Sequence, residues 1–510
     1  MRPAARLAGI GLVLGALVGL VACTYLPAGY RCTTAADCVD ADGVAGTCEP
    51  DTSWCSFPDS SCDGSARRYG EWAGGGLAGT CVGQPGDGGL GDGGDGAPTG
   101  PEFPRLAALL LSNPKDYDQE TYQDQIARLD LAVLGMYNGW ERNGVTPAEA
   151  VAAIKARNPS ILLGNSTTMA FVPRDPGNTA TTYKYNKLGS EVGPSGVGDW
   201  WAYDAAGQHV DSTGGGTSWD VNLTLLTTAD GQGDRWPQWL AKQEHQHVLD
   251  GVDFDLWFTS PVAWRPRVDL DWDRDGTTDS RDDLAVRSWW RDGQRAYLDT
   301  ARATAPGLFL MLETDSDLDG SVYPPGAEQF TQYQDAAHAA WLSSLIGDTS
   351  SVESDHGWTT TMAYYRRVFT NLLEPRIVVF AFSVPSTPDY RLFRYALASA
   401  LMDDGYFAAD VNNYDVAWYD EYDLAGTASS KWLGKAIDPP PTAAWQSGVY
   451  RRRFEHGVAI VNPAGNGPRT VTLESGYRRF AGTQDSTTND GQPAASITLA
   501  ERDGILLVAE

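Results

Sequence analysis

Residues 375–411, PRIVVFAFSVPSTPDYRLFRYALASALMDDGYFAADV, decide the fold. The run 375–383 is apolar with no alternation, so a strand there is buried on both faces. The run 390–404 has helical spacing of apolar residues, and 405–411 is a second continuous apolar strand. Two such strands joined by a helix form a parallel pair, because a parallel connection needs a long crossover.

The same alternation extends toward the N-terminus. Strand-like runs fall at 105–112, 130–137, 160–165, 250–258 and 307–313, with a weak sixth near 349–353. Helical runs lie at 120–129, 146–159, 234–249 and 282–306, and 329–345 reads as helix too. Thr146 is placed as an N-cap, with Pro147 at the first helical position and Glu149 at the third. A loop-rich insert covers about 166–230. About eight strand–helix units in residues 103–438 predict an α/β fold, a (β/α)₈ barrel of TIM type. No GxGxxG follows the first strand, which argues against a dinucleotide-binding sheet. Beyond 439 the runs are short, alternating and separated by turns, which predicts a C-terminal antiparallel β-sandwich over 439–510.

The N-terminal hundred residues read differently. Arg2 and Arg6 precede a short apolar run, which is the pattern of an export signal over 1–22. Leu20-Val21-Ala22-Cys23 resembles the bacterial lipobox, which implies lipidation at Cys23 and an extracytoplasmic place on the outer membrane or cell surface. Six further cysteines, Cys32, Cys38, Cys48, Cys55, Cys62 and Cys81, crowd into a module at 23–82. In an exported chain they read as three disulfides of open connectivity. The module resembles myxobacterial-type cysteine-rich modules. No CxxC occurs there, so zinc and redox roles lack their signature. Residues 83–102 are Gly- and Asp-rich and read as a tether.

The net charge of −28 opposes binding to nucleic acid or to an anionic membrane surface. Membrane contact is expected only through the lipid, and the chain is expected to act as a monomer. Of the 18 tryptophans, 16 lie beyond residue 100, a bias that suits carbohydrate as substrate.

In a barrel the chemistry sits at the strands' C-terminal ends. Candidate acids there are Asp253 and Asp255, Glu313, Glu353, and Glu421 in WYDEYD. Paired carboxylates suit glycoside hydrolysis, one as acid and the other as nucleophile or base. Trp257, Trp358 and Trp418 are candidate sugar platforms. The run DWDRDGTTDSRD, 271–282, matches DxDxDG with an acid at position twelve. Asp271, Asp273, Asp275, Thr277, Asp279 and Asp282 are therefore candidate ligands for a structural Ca²⁺. No GxSxG or HExxH is present, which excludes those two hydrolase signatures.

The runs DGVDFDLWF, DLDWDRDGTTD, YRLFRYALASALMDDGYFA, WYDEYD, WLGKA and GVYRRRFEHGVAIVNP together resemble the hypothetical glycosyl hydrolase family 15. The resemblance covers about residues 104–510. It implies a barrel with a C-terminal β domain and activity on a glycan. It also implies acids on strands four and six, which favours Asp255 as nucleophile or base and Glu353 as acid. Glu313 is the substitute, and Asp253 and Glu421 hold the site's polarity. The competing expectation is a surface glycan-binding lipoprotein whose barrel has lost catalysis.

Overall fold

Eight segments, each largely buried on both faces, pair side by side in parallel and close on themselves. They are β1 (Leu106–Leu110), β2 (Leu131–Leu134), β3 (Leu162–Thr168), β4 (Leu256–Ser260), β5 (Phe309–Thr314), β6 (Ala339–Ile346), β7 (Ile377–Ser383) and β8 (Tyr406–Asp410). β8 pairs with β1, and β3 with β4, to complete the barrel. The computed structural model describes residues 100–510, apart from 112–114, 176, 192–199, 315–330, 349 and 412–413, together with short stretches between 32 and 82. Cys23 and the tether at 83–99 lie outside the described residues. Residues 1–96 and 97–510 form separate compact units.

Period-two alternation sorts each barrel strand into an inner and an outer face. Ala107, Leu109, Leu131, Val133, Leu256, Phe258, Met311, Trp341, Val379, Ala381 and Ala408 fill the interior as one cluster. Their neighbours in sequence face the helices and belong to the large outer core. Those helices include α1 (Glu120–Ile126), α2 (Pro147–Arg157), α3 (Trp236–Glu244), α4 (Leu284–Thr304), α5 (Trp358–Asn371) and α6 (Tyr390–Ala400). The capping box that opens α2 is formed, with Thr146 accepting from the Glu149 N–H and Glu149 accepting from the Thr146 N–H.

Two strands differ from the sequence reading. The sixth strand is Ala339–Ile346, which overlaps the end of the run read as helix, and 350–353 is not a strand. AAWLSSLI has helix-forming composition, but burial of Trp341 in the barrel and of Leu342 outside it overrides propensity. The fourth strand begins at Leu256, after Asp253 and Asp255, and runs on through Thr259 and Ser260.

The C-terminal region forms a four-stranded antiparallel sheet faced by a two-stranded pair. The sheet runs in the order β9 (Tyr450–Phe454), β10 (Gly457–Asn462), β14 (Asp503–Ala509), β12 (Tyr477–Arg478). The pair is β11 (Arg469–Thr472) with β13 (Ser496–Leu499). Along β10, Val458 and Ile460 enter the core shared with β11 and β13, whereas Ala459 and Val461 join the core of the barrel. The sheet is thus covered on both faces, with α6 packed against β14.

In the N-terminal unit the pairings are Cys32–Cys48, Cys38–Cys55 and Cys62–Cys81. They staple a three-stranded sheet, Thr47–Cys48, Cys55–Pro58 and Arg67–Tyr69. Each bridge closes a loop of 16–19 residues, which contributes roughly 3 kcal/mol. Dithiothreitol is therefore expected to make this segment protease-sensitive while residues 97–510 stay resistant, as read by limited proteolysis and mass spectrometry.

Candidate active site

The inward face of the barrel changes character at its last layer. Below it the inner side chains are apolar and mostly buried. At the C-terminal ends the same parity places Thr168, Ser260, Glu313, Ser343, Ser383 and Asp410, all partly accessible. Among the described residues, Glu313 on β5 and Asp410 on β8 are the acids of this layer.

Glu313 is held by hydroxyl groups on both neighbouring strands. Ser260 Oγ donates to Oε2 in a short contact, and Ser343 Oγ donates to Oε1 at 2.7 Å. Donated hydrogen bonds of this kind suit the ionised carboxylate. Ser343 reaches it where β6 departs from regular register between Leu342 and Ile346. Ser344, at φ 54°, turns instead to Ser383, with 2.7 Å between their hydroxyls. A strand irregularity beside a site commonly re-aims a side chain in this way.

Asp410 has the opposite environment. Burial pushes its pKa up to about 7, the Glu313 charge pushes the same way, and the Trp341 indole opposes them. The Trp341 indole N–H faces this carboxylate without reaching normal hydrogen-bond geometry, so Asp410 Oδ1 and Trp341 Nε1 are both buried and lack a full hydrogen bond among the described residues. Trp341 is fully buried as the floor beneath the pair, in register with Glu313. Tyr414 follows β8 with 41% of its surface exposed, and both carboxylates act electrostatically on its hydroxyl. On the β3–β4 side of the same face is a cavity of ≈ 170 Å³, lined by Ala170, Asp220, Pro261, Trp264, Trp272 and Arg281 among others.

A model of the hypothetical glycosyl hydrolase family 15 matches residues 172–458, more than half of the chain. The chain belongs to this family. It is therefore an enzyme of the glycoside hydrolase class, with a carbohydrate as substrate. No curated protein matches the chain. Among solved structures, the glycoside hydrolase domain of PelA from Pseudomonas aeruginosa is 15% identical, with 61% of this chain and 97% of that one covered, at TM-score 0.35. Amy13B of Eubacterium rectale is 8% identical over 80% and 94%, at TM-score 0.42. The GH36 alpha-galactosidase AgaA of Geobacillus stearothermophilus is 10% identical over 80% and 56%, at TM-score 0.41. At these values the likenesses are distant, and what those proteins act on is said of them alone.

The structure scatters most of the acids expected for this family. Asp253 and Asp255 sit before β4, at the N-terminal end of the barrel and away from its mouth. There Lys155 Nζ lies 3.1 Å from a carboxylate oxygen of each, and Asp255 accepts from the Leu163 N–H at 2.8 Å. Glu353 lies in a short helix after β6, with its carboxylate between Tyr395 Oη at 3.0 Å and Arg502 at 2.6 Å. Glu421 is buried against Asn489, which donates at 2.9 Å. Both therefore join the barrel to the C-terminal β domain.

The expected tryptophan platforms are also committed elsewhere. Trp257 is fully buried on the outer face of β4, and its indole donates to Thr167 at 3.0 Å. Trp358 donates to Ser399 at 2.8 Å and packs on Tyr450. Trp418 lies under the Arg128 guanidinium, 3.4 Å from its ring centre, and donates to Asp423.

Of the expected metal ligands, Asp271, Asp273 and Asp275 converge. Asp279 turns back into the loop and accepts from the Trp272 N–H at 2.8 Å, and the backbone of Thr277 lies within the same turn. Asp282 departs from the expectation, because Arg265 and Arg287 claim its carboxylate.

Asp410, the second acid of this layer, is not among the candidates expected from the sequence. The run 405–411 reads correctly as a strand, and counting by twos from Tyr406 already places Asp410 on the inner face. Tyr414 carries no such signal.

Proposed function

We propose that the chain is an exported, lipid-anchored glycoside hydrolase that cleaves a poly- or oligosaccharide with Glu313 and Asp410. The supporting observation is the split environment of these two acids at the barrel mouth. Glu313 accepts from two hydroxyls, as a nucleophile or base requires. Asp410, pushed up to about 7, holds a proton to give to the leaving oxygen. Tyr414 supplies an exposed aromatic face beside the pair, suited to an apolar sugar face. Lipidation at Cys23, with a place on the outer membrane or cell surface, is supported by Leu20–Cys23 and by the cysteine-rich composition that follows.

The direct test is a screen of the purified chain against a panel of polysaccharides, with reducing-end release as the readout. Release by the wild type is expected. Retention of a glycan on an affinity gel with no release from any polysaccharide would move the reading to the binding protein.

The pH profile follows from the Asp410 shift. The acid must be protonated to act, so kcat is expected to fall as pH rises through about 7. A raised carboxyl pKa also means that the folded state holds an extra proton between about pH 4 and 7. The stability contribution of this group therefore declines across that window and is level above it. A kcat that rose through pH 7 would contradict the assignment of Asp410 as acid.

A further inference from the structure

We propose that the loop 271–279, between β4 and α4, binds a calcium ion that braces one wall of the barrel mouth. Asp271, Asp273 and Asp275 each offer a carboxylate oxygen, and these lie within 4.8 Å of one another. Among the described residues no ion pair reaches any of the three. The nearby arginines are engaged elsewhere. Arg274 donates to the Trp201 carbonyl at 2.7 Å and covers the Tyr203 ring, and Arg265 and Arg287 hold Asp282.

Asp271 gives the observation that points to a ligand. It is only 8% exposed, and its Oδ1 is buried with no hydrogen-bond partner among the described residues. Its other oxygen accepts from the Gly276 N–H at 3.0 Å. A buried carboxylate oxygen left unpaired among like charges is costly, and a cation between the carboxylates removes that cost. Gly276 at φ 85° makes the tight turn that brings the carboxylates round. An all-oxygen donor set on a flexible acidic loop selects a hard divalent cation, and calcium over the smaller, strictly octahedral magnesium. By the spacing of the loop, the Thr277 carbonyl and Asp279 would be the remaining donors. Asp282 is not among them, so the site lacks its position-twelve ligand and is expected to bind in the extracellular range, Kd on the order of 10⁻⁴–10⁻³ M.

The ion would act on the mouth through two residues of this loop region. Trp272 is buried against Trp290, with ring centres 5.4 Å apart, and its carbonyl accepts from Asn222 at 2.9 Å. Trp272 and Arg281 both line the cavity on the β3–β4 side. The proposal stands whether or not Glu313 and Asp410 carry the hydrolysis.

The experiment uses the full chain, stripped with EDTA and desalted. Terbium is added, excited through Trp272, and displaced with CaCl₂ or MgCl₂. Saturable terbium emission is expected, displaced by Ca²⁺ at a concentration at least tenfold lower than by Mg²⁺. Asp273→Asn, an exposed change that leaves the buried Asp271 in place, is expected to weaken Ca²⁺ at least tenfold. Asp292→Asn, an exposed acid on α4 outside the loop, is expected to match the wild type. Calcium at about 100 times Kd is expected to raise Tm by about 3–5 °C in the wild type and not in Asp273→Asn. Absent emission, displacement by Mg²⁺ at equal concentration, or an equal response from Asp273→Asn would each overturn the proposal.

Discussion

Asp410→Asn is expected to lower kcat by about 10²–10⁴-fold on whichever glycan the wild type cleaves, or about 3–5 kcal/mol of barrier. Asparagine keeps the shape and the burial but has no acidic proton to give the leaving oxygen. Glu313→Gln is expected to fall at least as far, because it removes the group that attacks the anomeric carbon or activates water. Its amide would still meet Ser260 and Ser343, so folding should survive, as checked by an unchanged far-UV spectrum and melting curve. The informative contrast is Asp255→Asn. The Asp255 carboxylate bonds Lys155 and the Leu163 N–H at the opposite end of the barrel. That variant should lose about 1–2 kcal/mol of stability and keep kcat within twofold. Full activity in Glu313→Gln, with loss in Asp255→Asn, would reverse the assignment and return the chemistry to the sequence pattern around strand four.

Why the sequence points to Asp255 is itself physical. In DGVDFDLWFTSP the apolar run ends at Phe258, and Thr259, Ser260 and Pro261 have the composition of a turn. The barrel instead buries Thr259 fully and uses Ser260 as the partner of Glu313, so the strand slides toward its C-terminus and both acids fall before it. Strand six was hidden for a related reason. Ala339, Ala340, Leu342 and Leu345 have helical composition, and only closure of the barrel between β5 and β7 makes them a strand. The parallel architecture itself was legible, because Ile377–Ser383 and Tyr406–Asp410 are apolar beyond what a solvent-facing strand tolerates. Glu313 was legible as a strand end as well. Local sequence carried no sign of which acids the C-terminal β domain claims. Glu353 meets Arg502 across 149 residues and Glu421 meets Asn489 across 68. An acid after a barrel strand looks the same whether it faces a substrate or a neighbouring sheet.

Glu353→Ala is expected to destabilise the chain by about 2–4 kcal/mol while leaving kcat intact. The Glu353 side chain is 1% exposed and that of Arg502 24%. Its carboxylate receives the Arg502 guanidinium at 2.6 Å and the Tyr395 hydroxyl at 3.0 Å. Removing one partner of a buried pair typically costs 3–5 kcal/mol, because the other charge is left without compensation. Arg502 reaches some solvent and also donates to the Gly347 carbonyl, so the loss should fall at or below the lower end of that range, at about 2–4 kcal/mol. Glu353→Gln keeps an acceptor for Tyr395 and should cost less than the alanine variant. In a double-mutant cycle with Arg502→Ala, the coupling should be about 1–3 kcal/mol, read from urea midpoints of the full chain. The same variants separate an anchoring role from a catalytic one. If Glu353 donated the proton to the leaving group, Glu353→Gln would remove activity at a temperature where the protein is fully folded, and Arg502→Ala would leave the chemistry largely alone. If Glu353 holds the β domain to the barrel, the two alanine variants lose stability and keep kcat. A Glu353→Gln enzyme that melts like the wild type but turns over no substrate would make the pairing with Arg502 incidental and place the acid at strand six after all.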